Sequence, residues 1–162
     1  NDSTFTIAES LKNIYVDDEN PYYVSNNGVL YTKNYEELVC YPMYHEGTDY
    51  TIHARTKLIR SYAFKNCEYL RNVVVGSYLE VVGVKAFEGT ELKTIKFNSL
   101  YPPISTGEEI FNLENVDLLV YVPAIAINDY KSNSAFAYLQ LNNLHNLSIA
   151  NCSVLSIFSQ PA

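Results

Sequence analysis

Leu58-Ile59-Arg60-Ser61-Tyr62-Ala63-Phe64 returns as Val81-Val82-Gly83-Val84-Lys85-Ala86-Phe87, a shift of 23 residues that keeps the two leading aliphatics and the Ala-Phe pair. The segments that follow return as well: Leu70-x-x-Val73-x-Val75 becomes Leu92-x-x-Ile95-x-Phe97, a shift of 22. A period in the low twenties marks a solenoid, in which each copy is one supersecondary unit that buries its apolar side by stacking on the next. Upstream, Tyr50-Thr51-Ile52 aligns with Val73-Val74-Val75 at the same 23-residue shift. Each turn therefore reads as a strand, a bend, an apolar pair and Ala-Phe. The small Ala makes room for the ring on the inside of the opposite wall.

Outward from this core the rhythm is modified. Leu11-x-x-Ile14-x-Val16 matches the Leu70 and Leu92 segments and is expected to be an earlier strand of the same kind. Asp18-Glu19-Asn20-Pro21 breaks it. In Ser25-Asn26-Asn27-Gly28-Val29-Leu30-Tyr31, Asn-Gly supplies the positive φ of a tight hairpin, and a second strand is expected through Glu37-Leu38-Val39-Cys40-Tyr41 up to Pro42. The hairpin reads as an insertion. After Phe97, Tyr101-Pro102-Pro103 interrupts, Gly107-Glu108-Glu109-Ile110-Phe111 reads as a short helical or irregular replacement for the next Ala-Phe wall, Val120-Tyr121-Val122 restores a strand that Pro123 ends, and Ala124 to Lys131 reads as a short helix. Beyond Lys131 no Asp, Glu, Lys or Arg occurs, yet Leu144-x-x-Leu147-x-Ile149-x-x-Cys152-x-Val154 fits the leucine-rich template L-x-x-L-x-L-x-x-[NC]-x-L. A charge-free end is a poor cap for a solenoid, so either something covers it or the array continues past residue 162.

These features together resemble the BspA-type leucine-rich repeat proteins, found on the surfaces of host-associated bacteria and some protozoa. The likeness rests on the repeats from Leu58 to Phe97, and on Asn20-Pro21-Tyr22-Tyr23-x-Ser25-x-x-Gly28-Val29-Leu30-Tyr31 followed by Leu38-Val39-x-Tyr41-Pro42. Its third support is the closing segment Val120-Tyr121-Val122-Pro123-Ala124 leading to Tyr130-Lys131. It implies a secreted or surface-exposed protein used in adhesion or host interaction. The expected fold is mainly β with short helical or 3-10 segments, a leucine-rich repeat solenoid of the right-handed β/α superhelix type. One domain spans 1–162: a first repeat with the hairpin (9–49), regular repeats (50–97), the closing segment (98–139) and a repeat-like tail (140–162).

Composition narrows the function. With 18 acidic and 11 basic residues the net charge is -7, and no Lys/Arg cluster exceeds two, so nucleic acid and anionic membranes are poor partners. No apolar run approaches the roughly 18 residues that span a bilayer. The start Asn1-Asp2-Ser3 has no basic and apolar leader, so any signal peptide has been removed or lies outside this stretch. Cys40, Cys67 and Cys152 have no metal or redox spacing and read as small buried hydrophobes. No G-x-S-x-G, H-E-x-x-H, Walker or G-x-G-x-x-G pattern occurs, and the repeat register points Cys67 inward and His53 outward. No catalytic residue, cofactor or metal is expected. Asp17-Asp18-Glu19 lacks the loop spacing of a calcium site. Asn1, Asn146 and Asn151 head glycosylation sequons by pattern.

The candidate functional residues come from strand geometry. If Ile14/Val16, Tyr50/Ile52, Val73/Val75, Ile95/Phe97, Val120/Val122 and Leu147/Ile149 face inward, period two sends their neighbours out. One outward column is Tyr15, Thr51, Val74, Lys96, Tyr121, Ser148; a second is Asp17, His53, Gly76, Asn98. Tyr15, Asp17, Thr51, His53, Lys96, Asn98 and Tyr121 are the candidate contacts for a host or extracellular-matrix protein. Exposed Tyr rings also suit a glycan, which keeps a carbohydrate-binding module as the first rival reading. A structural spacer and an uncharacterised hydrolase are the others.

Overall fold

The computed structural model describes residues 10–136 apart from 108, 113 and 116, together with residue 139 and the main chain of 144–146. It is mostly strand, wound into a β-solenoid of about four turns, with one short helix among the described residues. The strands are β1 (Tyr23–Asn26), β2 (Val29–Thr32), β3 (Glu37–Cys40), β4 (Asp49–Thr51), β5 (Leu58–Ile59), β6 (Asn72–Val75), β7 (Val81–Val82), β8 (Thr94–Phe97), β9 (Ile104–Ser105), β10 (Leu119–Val122) and β11 (Leu144–Asn146). They form two sheets. One has the order β1-β2-β3-β5-β7-β9 and the other β11-β10-β8-β6-β4.

The five-stranded sheet is parallel throughout, and its register follows the repeat: Tyr50 lies opposite Val73, Val73 opposite Ile95, Ile95 opposite Val120. Along β6, β8 and β10 buried residues alternate with half-buried ones, so Val73, Val75, Ile95, Phe97, Val120 and Val122 fill the interior. The repeated apolar pairs form the two-residue strands β5 and β7 of the opposite sheet. Next to them the Ala-Phe pairs make a third wall, stitched by Tyr41 N–H to Ala63 O, Phe64 N–H to Ala86 O and Phe87 N–H to Ile110 O at 2.8, 2.8 and 2.9 Å. Tyr41, Phe64, Phe87 and Phe111 stack down this wall with centroid spacings of 5.1, 4.7 and 5.5 Å. Ile110-Phe111 takes the Ala-Phe place without a helix, the irregular one of the two expected forms.

The backbone repeats along with the side chains. Tyr62 and Lys85 share left-handed φ values of 60° and 53° just before Ala-Phe, and Asn66 and Gly89 share 55° and 69° one turn of chain later. Gly83 follows from stacking distance: a Cβ there would run into the main chain of Ser61 in the preceding turn.

One expectation about the hairpin end needs correction. Leu11–Val16 is not a strand. The Ile14 amide donates to Gly28 O (2.8 Å) and the Val16 amide to Ser25 Oγ (3.2 Å), while Ile14 and Val16 lie against a small cluster of Leu30, Val39 and Cys40. The hairpin has captured this segment, so Tyr15 and Asp17 stand outside the parallel sheet. The antiparallel hairpin β1–β2 leads directly into the repeat. Its Asn27-Gly28 turn has positive φ at both residues (50° and 80°), and β3 pairs parallel with β5, Glu37 opposite Leu58 and Leu38 opposite Ile59. β3 is thus the first rung of the second wall, and β1 and β2 extend that sheet.

Past β10, a 3-10 turn (Ala124–Ala126) leads into α1 (Ile127–Ser132). Tyr130 and Phe136 are buried against Phe97, and the Tyr130 hydroxyl donates to Ser99 O at 3.1 Å. β11 pairs with β10 so that Leu144 lies opposite Val120 and His145 opposite Tyr121. The rung therefore sits three residues earlier than the expected Leu147-x-Ile149, and His145, not Ser148, lies opposite Tyr121. Leu147, Ser148, Ile149 and Cys152 lie outside the described residues, as do the three sequons' other members at 1–3, 147–148 and 151–153.

Candidate functional site: the outer face of the five-stranded sheet

Side chains that period two sends out of β4, β6, β8 and β10 form a ribbon. Thr51 is opposite Val74, Val74 opposite Lys96, and Lys96 opposite Tyr121, on strands about 4.8 Å apart. Thr51 is exposed, and Val74, Lys96 and Tyr121 are half-buried among their neighbours. The Lys96 ammonium lies 5.9 Å from the centroid of the Tyr121 ring, at the reach of a cation–π contact. Asn98 continues the ladder with its amide on Val75 O (3.1 Å) and is exposed at the strand end. The structure thus brings Thr51, Lys96, Asn98 and Tyr121 onto one face.

His53 is not on it. β4 ends at Thr51, and the chain then turns so that the His53 amide donates to the Tyr31 hydroxyl (3.3 Å) and its ring stacks on Tyr35 at 4.0 Å and 15°. Tyr15 and Asp17 sit on the hairpin side; Tyr15 is exposed, and Asp17 Oδ1 accepts the Glu19 amide in an exposed turn. A third column was missed: Asp49, Asn72 and Thr94, on the other flank of the ribbon. Asn72 Nδ2 donates to Asp49 Oδ1 (2.6 Å) and Thr94 Oγ1 to Asn72 Oδ1 (2.7 Å). Its signal was in the sequence, since each of these residues immediately precedes an inward Tyr50, Val73 or Ile95. Tyr78, Leu100, Tyr101 and Ile125 were also missed, exposed in the bends that follow β6, β8 and β10.

Two cysteines and a histidine near the hairpin wall have structural surroundings. The Cys67 thiol is buried against the carbonyls of Tyr41 and Pro42 (3.7 and 3.9 Å), and burial raises its pKa well above that of a free thiol. Cys40 is pushed up to about 11 by burial. Both changes disfavour a thiolate nucleophile. His45 is held in one tautomer: Nε2 must donate to Asn27 O (2.7 Å), which leaves Nδ1 to accept the Gly47 amide (3.3 Å) and the Tyr41 hydroxyl (3.1 Å). Its ring clasps the hairpin turn to the wall. Among the described residues no three His, Cys, Asp or Glu side chains are grouped to hold a metal ion, and no helix is long and apolar enough to cross a membrane.

In-register parallel rungs, an inward aliphatic ladder and a short strand per turn define a leucine-rich repeat solenoid. The chain belongs to the BspA-type leucine-rich repeat family, whose repeat-region model matches residues 40–160 with six copies. Among solved structures, a leucine-rich cell surface protein from Faecalibacterium prausnitzii is similar at 20% identity and a TM-score of 0.54, over 83% of this chain and 41% of that one. The pneumococcal vaccine antigen PcpA (18% identity, TM-score 0.47, 85% of this chain and 49% of that one) and a leucine-rich repeat protein from Eubacterium ventriosum (21%, 0.48, 73% and 38%) are also similar. The chain spans less than half the length of each. No curated protein matches it by sequence.

Proposed function

We propose that this chain is a non-catalytic binding domain, displayed on a cell surface or secreted, that holds a host or extracellular-matrix protein on the outer face of its five-stranded sheet. The observation that carries the reading is the in-register column Thr51, Val74, Lys96, Tyr121. It sets an aliphatic, a cation and an aromatic side by side on a rigid support, and of these Tyr121 is the residue type that anchors protein interfaces. Tyr121 would serve as the amphipathic anchor and Lys96 as the charge that selects an acidic or carbonyl-rich partner, with Thr51 and Asn98 at the rim. Membership of the BspA-type family and a fold shared with a cell surface protein support the placement outside the cell. Tyr15, Asp17 and His53 have no part in this face.

The test is binding of the purified chain to a panel of extracellular-matrix proteins, beside a Lys96→Ala/Tyr121→Ala variant whose fold is confirmed by circular dichroism. A matrix protein bound by the parent and lost by the folded variant supports the face. Equal binding by both, or none by either, overturns it in favour of a spacer role.

A further inference from the structure

The hairpin end of the molecule carries a second surface feature, independent of the sheet face. A shallow cleft of about 500 Å³ is lined by Pro21, Tyr22, Thr32, Lys33 and Asn34, within the size range of small-molecule sites. Tyr22 is 73% exposed, yet its main chain is fixed: the amides of Tyr22 and Tyr23 both donate to Asn20 Oδ1 (2.9 and 3.0 Å), and Tyr22 O accepts the Lys33 amide (2.8 Å). An exposed aromatic ring is thus presented from a backbone that cannot easily swing it away, beside the proline ring.

The polar lining has a surplus of donors. Thr32 Oγ1 is satisfied, since it donates to Asn34 Oδ1 (2.8 Å) and accepts the Glu37 amide (3.0 Å). Asn34 Nδ2 gives one hydrogen to Glu36 (2.9 Å) and has a second. Lys33 Nζ donates to Asp18 O (2.8 Å), and an ammonium has two further hydrogens. The ligand that complements this set offers a flat apolar face to Tyr22 and a rim of neutral oxygens to Asn34 and Lys33. Asp17, Asp18 and Glu19 on the adjoining turn disfavour an anion. We propose that this cleft is a binding site for a neutral saccharide, whose C–H face stacks on the Tyr22 ring while its hydroxyl or acetamido oxygens accept from Asn34 and Lys33.

Saturation-transfer NMR with maltotriose, cellotriose, mannotriose, N-acetyllactosamine and 3′-sialyllactose tests this on the whole chain. The expected result is transfer to ring protons of at least one neutral sugar, with a Kd on the order of 1 mM, insensitive to salt. Tyr22→Ala should weaken it by about tenfold or more and Asn34→Ala by less. Tyr101→Ala, which removes an exposed ring at a different edge, should leave it unchanged, as should Lys96→Ala/Tyr121→Ala, which separates this site from the sheet face. Tyr22 is exposed, so the variant keeps its fold, checked by thermal melting. No transfer to any neutral sugar, unchanged binding in Tyr22→Ala, or stronger binding of 3′-sialyllactose than of N-acetyllactosamine would each overturn the assignment.

Discussion

The two sides of the solenoid use their polar residues differently. On the six-stranded sheet and the Ala-Phe wall beside it, charges pair from one turn to the next: Glu36 with Lys57 (3.0 Å), Glu37 with Arg60 (2.8 Å), Lys65 with Glu88 (3.6 Å), Lys85 with Glu109 (4.0 Å). On the five-stranded face one flank is a chain of side-chain hydrogen bonds from Asp49 through Asn72 to Thr94, with one cross-turn ion pair, Arg71 to Glu91 (3.3 Å), just before β6, and beside it Val74, Lys96 and Tyr121 are turned to solvent. Partners one repeat apart satisfy the first surface, which offers little to another molecule. The second leaves an aromatic anchor, Tyr121, open beside a cation and an aliphatic side chain. In a stacked repeat every side chain has a copy about 4.8 Å away, so a surface is closed or open to partners according to whether those copies are complementary in charge.

Both surfaces hang on one core, and the largest effect comes from breaking it. Phe87 is fully buried between Phe64 and Phe111. Phe87→Ala should cost about 3–5 kcal/mol, read as a shift of the urea midpoint, with both faces lost in one transition. Two separate transitions would mean that the walls fold as independent units. Gly83→Ala comes next, at about 1–3 kcal/mol, because the new methyl must displace the Ser61 main chain. The strain lies on the wall side, so hydrogen exchange should rise first at Phe64 and Ala86 and last in β8.

The 23-residue copies made the middle of the fold legible. A repeated Ala-Phe or Val-x-Val fixes both its own conformation and its neighbour, since the partner of each copy is the next copy. Leu11-x-x-Ile14-x-Val16 has the same pattern without that guarantee. It encodes one apolar side, and Leu30, Val39 and Cys40 claim it instead of β4's edge. Ala135-Phe136 was in plain view and went unread because the Pro123 break and α1 displaced it from the period; it is buried like its counterparts. The ribbon was legible as a column from period two, but where it starts was not. The bend that removes His53 is set by Tyr31 and Tyr35, residues of the hairpin some 20 positions upstream.

That hairpin supplies an intermediate effect. The hydroxyls of Tyr31 and Tyr50 lie 2.5 Å apart beneath the sheet edge, and burial raises the pKa of both, as it does for Tyr41 and Tyr130. Tyr50→Phe keeps the ring and leaves Tyr31 with the His53 amide alone, at a cost of about 1–2 kcal/mol. Phenols whose folded pKa is raised contribute stability that is complete below their unfolded value of about 10 and lost as pH rises through the folded one. The fold should therefore fail in alkali, with these tyrosines ionising together on unfolding when followed by absorbance near 295 nm. Smooth titration of all tyrosines without loss of circular dichroism would contradict their burial.

The smallest effect sharpens the contrast between the surfaces most directly. The hydrogen bond and charge of Lys57 hold the Glu36 carboxyl below its usual range, and Lys85 does the same for Glu88. A carboxyl lowered in this way adds stability that is present above its unfolded pKa and lost as pH falls through the folded one. These pairs are exposed, so each contributes little and salt screens it. Glu36→Gln and Glu88→Gln together should flatten the stability curve on the acid side, below about pH 5, and leave it unchanged at neutral pH in high salt. Among the described residues Lys96 meets the Tyr121 ring and no carboxylate, so Lys96→Ala should not reproduce this acid-side change. Thermal melts at paired pH values in low and high salt decide it. An acid-side change for Lys96→Ala equal to that of the paired glutamates would mean that the five-stranded face, too, is closed by its own charges, and that binding must be sought elsewhere on the molecule.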